Sequence, residues 1–179
     1  MIIGLLGYAQ SGKDSVASIL TKEFGYTRVA FADLIRNTLY DLNPQVEGST
    51  RLTTLVDDYG WDVAKSYPEV RRLLQDLGVS VRTRLGADIW VTAVFESLDP
   101  LKDYVFTDVR FPNEADAVQA IGGDLWRVIR PGVSAINNHI SEFALSDFIA
   151  DEHIYNSGTL EDLASQIREH RNFLNSIYR

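Results

Sequence analysis

The chain has 179 residues, of which 45% are hydrophobic and 23% charged, the size and composition of one globular domain with a sizeable core. Its formal net charge of −8 creates a field that repels the phosphates of a duplex, so polymeric nucleic acid is not expected as a partner. The absence of cysteine excludes disulfides and thiolate chemistry, and three scattered histidines argue against a zinc enzyme. Residues 1–7 carry neither a positive leader nor a long apolar run, so we expect a cytoplasmic protein with no membrane contact.

Strand-like and helix-like segments alternate along the chain. Short apolar runs predict strands over 2–6, 26–31, 104–108, 125–129 and 154–155. Helical patterns occupy 13–24 and 113–121, and a terminal helix begins after Thr159, an N-cap with Asp162 three residues later. From 32 to about 98 the pattern is helical, with breaks at 43–44, 47–49 and 67–68.

This alternation predicts an α/β fold, because parallel strands need crossover connections. We expect a three-layer sandwich with a mainly parallel sheet of about five strands and helices on both faces. The stretch 32–98 is too long for one crossover, so we interpret it as a helical insertion in a single domain that spans residues 1–179.

A phosphate-binding loop follows the first predicted strand. The segment 7–14, Gly-Tyr-Ala-Gln-Ser-Gly-Lys-Asp, has the Gly-x4-Gly-Lys spacing of the Walker A motif between a strand and a helix. Gly7 and Gly12 allow the backbone to wrap a polyphosphate with its N–H groups pointing inward, and Lys13 supplies charge to the β and γ phosphates. The alternative is a glycine-rich turn with a solvated lysine, which the flanking strand and helix disfavour.

One position of the loop departs from the common motif. Asp14 stands where Ser or Thr usually binds magnesium, and a hydroxyl follows only at Ser15. Both side chains offer oxygen ligands to Mg²⁺, Asp14 either directly or through water. Asp14 is alternatively a first-turn acid that the helix dipole favours.

Two further patterns narrow the class of phosphate-loop protein. No asparagine is followed by lysine, which disfavours a switch GTPase that reads its base with Asn-Lys-x-Asp. Asp108 is followed by Val109 and not by the glutamate that polarises water in many hydrolytic ATPases. The sequence therefore favours phosphoryl transfer to a bound acceptor over transfer to water.

An acceptor that carries a phosphate requires positive groups of its own, because two anions must be brought together. Arg71, Gln75 and Arg82 recur at offsets of four and eleven residues, near one face of a helix that continues through Gly78, with Arg72 and Arg84 beside them. A solvated basic helix face remains the alternative interpretation.

The end of the third predicted strand also carries charged residues. Strand alternation would direct Asp108 and Arg110 to one face, and Glu114 enters the next helix. At the carboxyl end of a strand beside a phosphate loop, these residues indicate metal or substrate contacts. A structural ion pair between Arg110 and Glu114 is the alternative.

Four segments together resemble the phage-type deoxynucleoside monophosphate kinases of the P-loop nucleoside monophosphate kinase group. They are Ser-Gly-Lys-Asp-Ser over 11–15, Arg-Arg-Leu-Leu-Gln-Asp-Leu-Gly over 71–78 with Trp90 downstream, Phe-Thr-Asp-Val-Arg-Phe-Pro-Asn-Glu over 106–114, and Trp-Arg-Val-Ile-Arg-Pro over 126–131 with His-Ile-Ser-Glu over 139–142. They spread over most of the chain and are more diagnostic together than the loop alone.

The resemblance implies roles for individual residues. The triphosphate and its metal would be held by Ser11, Lys13, Asp14 and Ser15. The monophosphate site would be lined by Arg71, Arg72, Gln75, Gly78 and Trp90, with Trp90 as a stacking face or, taken alone, a core residue. Between the two sites the resemblance implies Asp108, as a further metal ligand, Arg110 and Glu114. Relatives often carry a hydroxyl where this chain has Val79, which affects one polar contact and the substrate range.

The segment after the fourth strand resembles a lid over about 130–143, with Arg130 as its cation. Alternation would direct Arg127 to the opposite face, where it is only solvated. His139, Ser141 and Glu142 match the family, with a local loop network or a substrate contact as their role. Asn156, between the last strand and helix, either helps to seat adenine or only forms a turn.

The resulting hypothesis is transfer of a phosphoryl group from ATP, with Mg²⁺, to a deoxynucleoside monophosphate, with Lys13, Asp108, Arg110 and Arg130 as the catalytic residues. Kinase activity on another small acceptor, such as dephospho-coenzyme A, and a noncatalytic ATP-binding sensor are the alternatives. The acceptor nucleotide is the expected partner, and a homodimer is compatible with the sequence. A phage-encoded chain would act in the host cytoplasm.

Overall fold

The computed structural model of the protein describes residues 1–134 and 148–177. The chain divides into two compact units. The first consists of Met1–Ala30 and Leu98–Arg179, and the second, which interrupts the first in sequence, consists of Phe31–Ser97. Among the helices in the described ranges, none combines the length and the apolar character needed to cross a membrane.

The described chain contains seven strands and seven helices. In order they are β1 (Ile2–Leu6), α1 (Lys13–Phe24), β2 (Thr27–Val29), α2 (Phe31–Leu42), β3 (Gln45–Glu47), β4 (Thr50–Arg51), α3 (Leu52–Ala64), α4 (Pro68–Leu85), α5 (Ile89–Glu96), β5 (Tyr104–Phe106), α6 (Pro112–Ala120), β6 (Asp124–Ile129), β7 (Glu152–Tyr155) and α7 (Leu160–Ile177).

Five parallel strands form the sheet of the first unit in the order β2-β5-β1-β6-β7. In the central strand, Ile3 is paired with Val105 of β5 on one side and Asp124 of β6 on the other. The two strands beside β1 are β5 and β6, and both come later in the chain. The order of strands along the chain therefore reverses direction at β1. In open α/β sheets, ligands bind in the crevice outside the carboxyl ends of the strands at such a reversal. The phosphate loop follows β1 at this edge.

Successive side chains of each strand lie on opposite faces of the sheet, where they pack against the helices of the two outer layers. On one face, Ile3, Leu5 and Trp126 pack with buried residues of α1 and α7. On the other face lies α6, and a Cβ at Gly4 would come within 2.8 Å of Leu125 Cδ2 and 3.4 Å of Val118 Cγ1. The absence of a side chain at Gly4 therefore allows close packing of this layer.

The second unit has an apolar core of its own. The buried members of this core are Leu39, Val46, Leu52, Leu55, Ala64 and Val70. Pro68 begins α4, which continues through Gly78 to Leu85, while α3 is interrupted at Gly60, where φ is +79°. The rings of Phe31 and Phe95 lie 6.2 Å apart and link α2 with α5.

The predicted α/β fold with a parallel five-stranded sheet is confirmed. The capping of the terminal helix is also as predicted, because Asp162 N donates to Thr159 Oγ1 and the Asp162 carboxylate accepts the backbone N–H of Thr159. Residues 135–143 of the predicted lid, and with them His139, Ser141 and Glu142, lie outside the described residues.

Several predicted elements differ from the structure. The second strand was predicted over 26–31, but β2 spans only Thr27–Val29, because the chain enters α2 at Phe31. The third strand was predicted over 104–108, but β5 ends at Phe106. The stretch 32–98 was predicted to be helical throughout, but residues 45–51 form the antiparallel hairpin β3–β4. The second unit nearly coincides with that stretch, and its role in acceptor binding stays a prediction.

Candidate active site

The phosphate loop has a backbone that two glycines make possible. Gly7 and Gly12 have φ angles of +135° and +106°, in the region that side chains disfavour. A Cβ at Gly7 would lie 2.5 Å from the Val128 carbonyl oxygen, and one at Gly12 would lie 2.2 Å from Asn156 Nδ2. Gly12 is also the N-cap of α1, so the first N–H groups of that helix are available to an anion.

Lys13 closes the loop on itself. Its Nζ donates to the carbonyl oxygens of Gly7 at 2.7 Å and Tyr8 at 2.8 Å, and Ser11 N donates to the same Tyr8 oxygen at 3.2 Å. The ammonium group is therefore held beside the loop backbone and not extended into solvent. This position allows it to contribute charge to a polyphosphate bound by the loop.

Ser11 carries a buried hydroxyl that an anion would satisfy. The residue is 2% exposed, and its Oγ has no hydrogen-bond partner among the residues that the structure describes. An unsatisfied buried hydroxyl is costly, whereas a phosphate oxygen would accept its hydrogen. The loop thus fits a polyphosphate in three respects: glycine conformation, positive charge and an open donor.

A cavity of about 530 Å³ beside the loop collects the three basic side chains predicted to be catalytic. Its wall is formed by the loop, the segment after β5, the end of β6 and residues on either side of the start of β7. The basic residues that line it are Lys13, Arg110, Arg127, Arg130 and His153. A cavity lined by several guanidinium and ammonium groups is suited to bind an anion with several charges.

Arg127 corrects one prediction from the sequence. It was expected to be only solvated, on the face opposite Arg130, but both residues line the cavity. Alternation does not extend to Arg130 because β6 ends at Ile129. Arg127 is half-buried, and its Nη2 donates to the Phe148 carbonyl oxygen at 2.6 Å.

The segment after β5 is organised by Glu114. The strand ends at Phe106, so the alternation used to place Asp108 and Arg110 on one face does not apply there. Glu114 is 3% exposed, and its Oε2 accepts the backbone N–H groups of Arg110 at 2.8 Å and Phe111 at 3.1 Å. The carboxylate therefore shapes the turn from which Arg110 reaches the cavity, and contact of Glu114 with a substrate, implied by the resemblance, is not favoured by this burial.

The residues predicted to bind metal do not line the cavity beside the loop. Asp14 and Ser15 line a shallow groove of about 470 Å³ formed by α1 and α7, separate from the cavity that Lys13 lines. Asp108 is half-buried and lines neither space. Within the described ranges, no three carboxylate or histidine side chains cluster as a metal site. The candidate oxygen ligands fit Mg²⁺ in type, since it prefers carboxylate and hydroxyl oxygens.

In the second unit, α4 presents the arginines expected to bind the acceptor. Arg71 and Gln75 are exposed and Arg82 is half-buried, with Arg71 Nε donating to the Lys65 carbonyl oxygen at 2.5 Å. The α4 helix continues through Gly78, as the predicted common face requires.

Arg72 is held by two acids of its own helix. It lies 2.6 Å from Glu69 Oε1 and 2.5 Å from Asp76 Oδ2. The hydrogen bond from Arg72 lowers the pKa of Glu69 and raises that of the guanidinium group, so the pair stays charged at neutral pH. An acceptor phosphate at Arg72 would compete with these carboxylates.

Trp90 is a core residue of the second unit. It is 6% exposed, and its Nε1 donates to the Gly78 carbonyl oxygen at 3.2 Å, which ties α5 to α4. Burial of the ring does not favour its interpretation as a stacking face for a base. Gly78 also faces α2, since a Cβ there would lie 3.3 Å from Ile35 Cδ1, whereas the neighbouring Val79 is 64% exposed.

Two features of the site were missed in the sequence. His153 lines the cavity from β7, where it is paired in register with Arg127, and Phe148 lines it through the segment before that strand. Asn156 was considered for adenine, but its Nδ2 donates to the Ser11 carbonyl oxygen at 2.9 Å. Strand pairing brings His153 and the segment of Phe148 to the cavity, and no local motif indicates these two residues.

Comparison with known proteins places this architecture in a family. The sequence profile of the family described as "Deoxynucleotide monophosphate kinase" matches residues 50–167, about two thirds of the chain. The chain belongs to the deoxynucleotide monophosphate kinase family. The resemblance stated from the four segments is confirmed at this level, and with it the assignment to the kinases.

Two viral relatives match over different lengths. The chain is 30% identical to a "Putative deoxynucleotide monophosphate kinase" of Acanthamoeba polyphaga mimivirus, over 93% of this chain and 94% of that protein. It is 34% identical to the "Deoxynucleotide monophosphate kinase" of Enterobacteria phage T4, over 55% of this chain and 44% of that protein. The match thus extends over nearly all of the mimivirus relative but less than half of the phage T4 one.

A solved structure supports the fold. A dephospho-CoA kinase from Campylobacter jejuni aligns with a TM-score of 0.52 over 99% of this chain and 98% of that chain, at 9% sequence identity. At that identity the likeness concerns the fold alone, and it agrees with the α/β fold predicted from the order of strands and helices.

Proposed function

We propose that the protein transfers the γ-phosphoryl group of Mg²⁺-bound ATP to a deoxynucleoside monophosphate, giving the diphosphate and ADP. The observation that carries the proposal is the cavity in which Lys13, Arg110 and Arg130 meet a loop whose backbone only glycine permits. Membership of the deoxynucleotide monophosphate kinase family supplies the acceptor class.

The loop binds and orients the triphosphate. Backbone N–H groups at the start of α1 and the Ser11 hydroxyl donate to phosphate oxygens, and Lys13 neutralises charge on the β and γ phosphates. Asp14, Ser15 and Asp108 are the candidate residues that would hold Mg²⁺, and the bound ion would supply further neutralisation of the phosphate charge.

The transfer itself needs little proton chemistry. An ionised phosphate oxygen of the acceptor attacks the γ phosphorus, and the bond to the bridging oxygen of ADP breaks, so no general base is required. Arg110 and Arg130 stabilise the charge that develops on the transferred group. The acceptor phosphate is bound by Arg71 and Arg72 of α4, and Gln75 offers its amide to the base edge.

A coupled assay of ADP release tests the proposal. The acceptors are the four deoxynucleoside monophosphates, their four ribonucleotide counterparts and dephospho-coenzyme A. We expect turnover with one or more deoxynucleotides and loss of it in Lys13→Ala, but not in the control Lys22→Ala, an exposed lysine of α1.

The same assay separates the alternatives. Equal rates with ribonucleotides and deoxynucleotides would remove the deoxynucleotide assignment and leave a nucleotide kinase. Turnover with dephospho-coenzyme A alone would replace the acceptor class. ATP binding without phosphoryl transfer to any acceptor would favour a nucleotide sensor.

A further inference from the structure

The connection between β7 and α7 reaches back to the phosphate loop through one side chain. Asn156 Nδ2 donates to the Ser11 carbonyl oxygen at 2.9 Å, across a separation of 145 positions in sequence. The contact holds a main-chain group of the loop and leaves the Ser11 hydroxyl unused. Asn156 thus acts on the loop backbone, whatever else its remaining amide atoms contact.

The same side chain packs directly against Gly12. A Cβ at Gly12 would lie only 2.2 Å from Asn156 Nδ2 and 3.2 Å from its Cγ. Gly12 caps α1 with a φ of +106°, so the peptide between Ser11 and Gly12 determines the direction of the N–H groups that follow. Asn156 holds this peptide by a hydrogen bond on the Ser11 oxygen and by contact at Gly12.

The segment around Asn156 is itself fixed. Its backbone N–H donates to the Ile129 carbonyl oxygen at 2.8 Å, at the end of β6. Downstream, the Asp162 carboxylate accepts both the backbone N–H of Thr159 at 2.8 Å and the Thr159 hydroxyl at 2.7 Å. A Cβ at Gly158 would lie 2.5 Å from that carboxylate. These contacts restrain Asn156 from both sides, as a support for another group requires.

We propose that Asn156 is a positioning residue that holds the Ser11–Gly12 peptide in the conformation that binds polyphosphate, and that its contribution to ATP affinity does not come from the adenine base. This inference rests on the proposed function, because it concerns the same nucleotide site. It predicts that loss of the Asn156 contact weakens every ligand with a polyphosphate chain by the same factor, with or without a base.

The test compares two ligands in calorimetric titrations of the full chain. ATP carries a base, and inorganic tripolyphosphate carries the phosphate chain alone. Asn156→Ser removes the donor, and we expect a three- to tenfold weaker Kd for both ligands, the usual value of one hydrogen bond. Asn156→Asp places a carboxylate against the Ser11 carbonyl oxygen, and we expect a loss of more than tenfold for both.

A matched control makes the same chemical change elsewhere in the terminal segment. Asn172→Asp alters an exposed asparagine of α7 and should leave both Kd values unchanged. Thermal unfolding of each variant identifies the temperature below which that variant is folded. If Asn156→Asp does not fold, Asn156→Ser still tests the inference. In the ADP-release assay, KM for the acceptor should stay constant while kcat/KM for ATP falls.

The outcomes separate this inference from the proposed function. Equal losses for ATP and tripolyphosphate support it. A loss for ATP alone would show a base contact and overturn it, as would unchanged binding of both ligands. If the wild-type chain binds neither ligand, the proposed nucleotide site fails as well. If it binds both but transfers no phosphoryl group to any acceptor, the positioning role of Asn156 stands and only the proposed reaction fails.

Discussion

The two units of the molecule hold their polar groups in different ways. In the first, the site is organised by main-chain contacts: Lys13 bonds to two loop carbonyls, and Glu114, which shapes the turn that carries Arg110, bonds to two backbone N–H groups. In the second, Arg71 and Arg72 are exposed on α4, where Arg71 has one main-chain contact, to the Lys65 carbonyl oxygen, and Arg72 is held by neighbouring side chains of its own helix.

This difference agrees with the two tasks that we propose for the units, stabilisation of the transferred group in the first and acceptor binding in the second. A site that stabilises a developing charge gains most from groups that do not reorganise during the reaction. A site that admits and releases an acceptor can tolerate exposed side chains with several rotamers. We therefore expect substitutions in the first unit to affect the rate of transfer or the nucleotide, and substitutions on α4 to affect the acceptor alone.

The largest effect is expected for Arg110→Ala. Arg110 lines the cavity on a turn that Glu114 fixes, so its loss removes an oriented charge from the transferred phosphoryl group. We expect kcat to fall by about a hundred- to a thousandfold with little change in ATP affinity. Steady-state kinetics and nucleotide titration measure the two quantities, with Arg28→Ala on β2 as the control. Unchanged turnover would remove Arg110 from the site.

Gly7→Ala tests whether the loop conformation is obligatory. The new Cβ would meet the Val128 carbonyl oxygen at 2.5 Å with φ at +135°, so the loop must shift. A displacement of this kind should lower kcat/KM by about a hundredfold for every acceptor. Gly25→Ala is the matched control, because Gly25 also has a positive φ of +74° but open space around it. Equal losses in both variants would attribute the effect to backbone strain alone.

Arg71→Ala should change only the acceptor kinetics. Loss of one charged hydrogen-bond donor predicts an acceptor KM raised by about ten- to a hundredfold, with KM for ATP unaltered. Arg51→Ala provides the comparison, since Arg51 is likewise exposed in the second unit and donates to a main-chain carbonyl, that of Asn43 at 3.1 Å. A rise in KM for ATP instead would break the proposed division between the units.

The smallest effect concerns the pH dependence of stability in the first unit. Burial, reinforced by the carboxylates of Asp151 and Glu152, raises the pKa of Asp124, whose Oδ2 has no hydrogen-bond partner among the described residues. Because the pKa of Asp124 is raised in the folded state, its protonated form stabilises the fold at pH values below the ordinary Asp pKa of about 3.9. This contribution is lost as the pH rises through the folded-state pKa. Ionised Asp124 therefore destabilises the fold at neutral pH.

Asp124→Asn should accordingly raise the free energy of unfolding at pH 7 by about 0.5 kcal/mol, and the gain should vanish near pH 3. Urea unfolding at pH values between these two limits measures the free energy of unfolding of the variant and of the wild-type chain. Asp58→Asn, an exposed change on α3 of the second unit, should show no such dependence. A gain for Asp124→Asn that does not vary with pH would contradict the assignment.

The sequence was most informative where local chemistry determines structure. The glycine spacing of the loop, the apolar run of β1 and the Thr159–Asp162 cap are short-range patterns, and each appears in the structure as predicted. The β3–β4 hairpin was missed because its strands are only three and two residues long, too short for alternation to distinguish them from helix.

These short-range patterns could not predict contacts between residues that are distant in sequence. Nothing near Asn156 indicates that it bonds to Ser11, and nothing near Arg127 indicates the Phe148 carbonyl oxygen that fixes it. Both depend on the pairing of β6 with β7, which the order of elements suggests but whose register it does not determine. Trp90 illustrates the related limit that a motif residue can match a family and still be buried as core.

The interruption of the first unit has a consequence for biosynthesis. The glycine loop is translated before its two supports, since the carbonyl oxygen beside Gly7 belongs to Val128 and the contact at Gly12 to Asn156. A ribosome must therefore deliver β6, β7 and the segment up to Asn156 before the nucleotide pocket can form, and such distant pairings slow folding. During that interval the nascent loop lacks both contacts, so ATP cannot assist folding until Asn156 has been added.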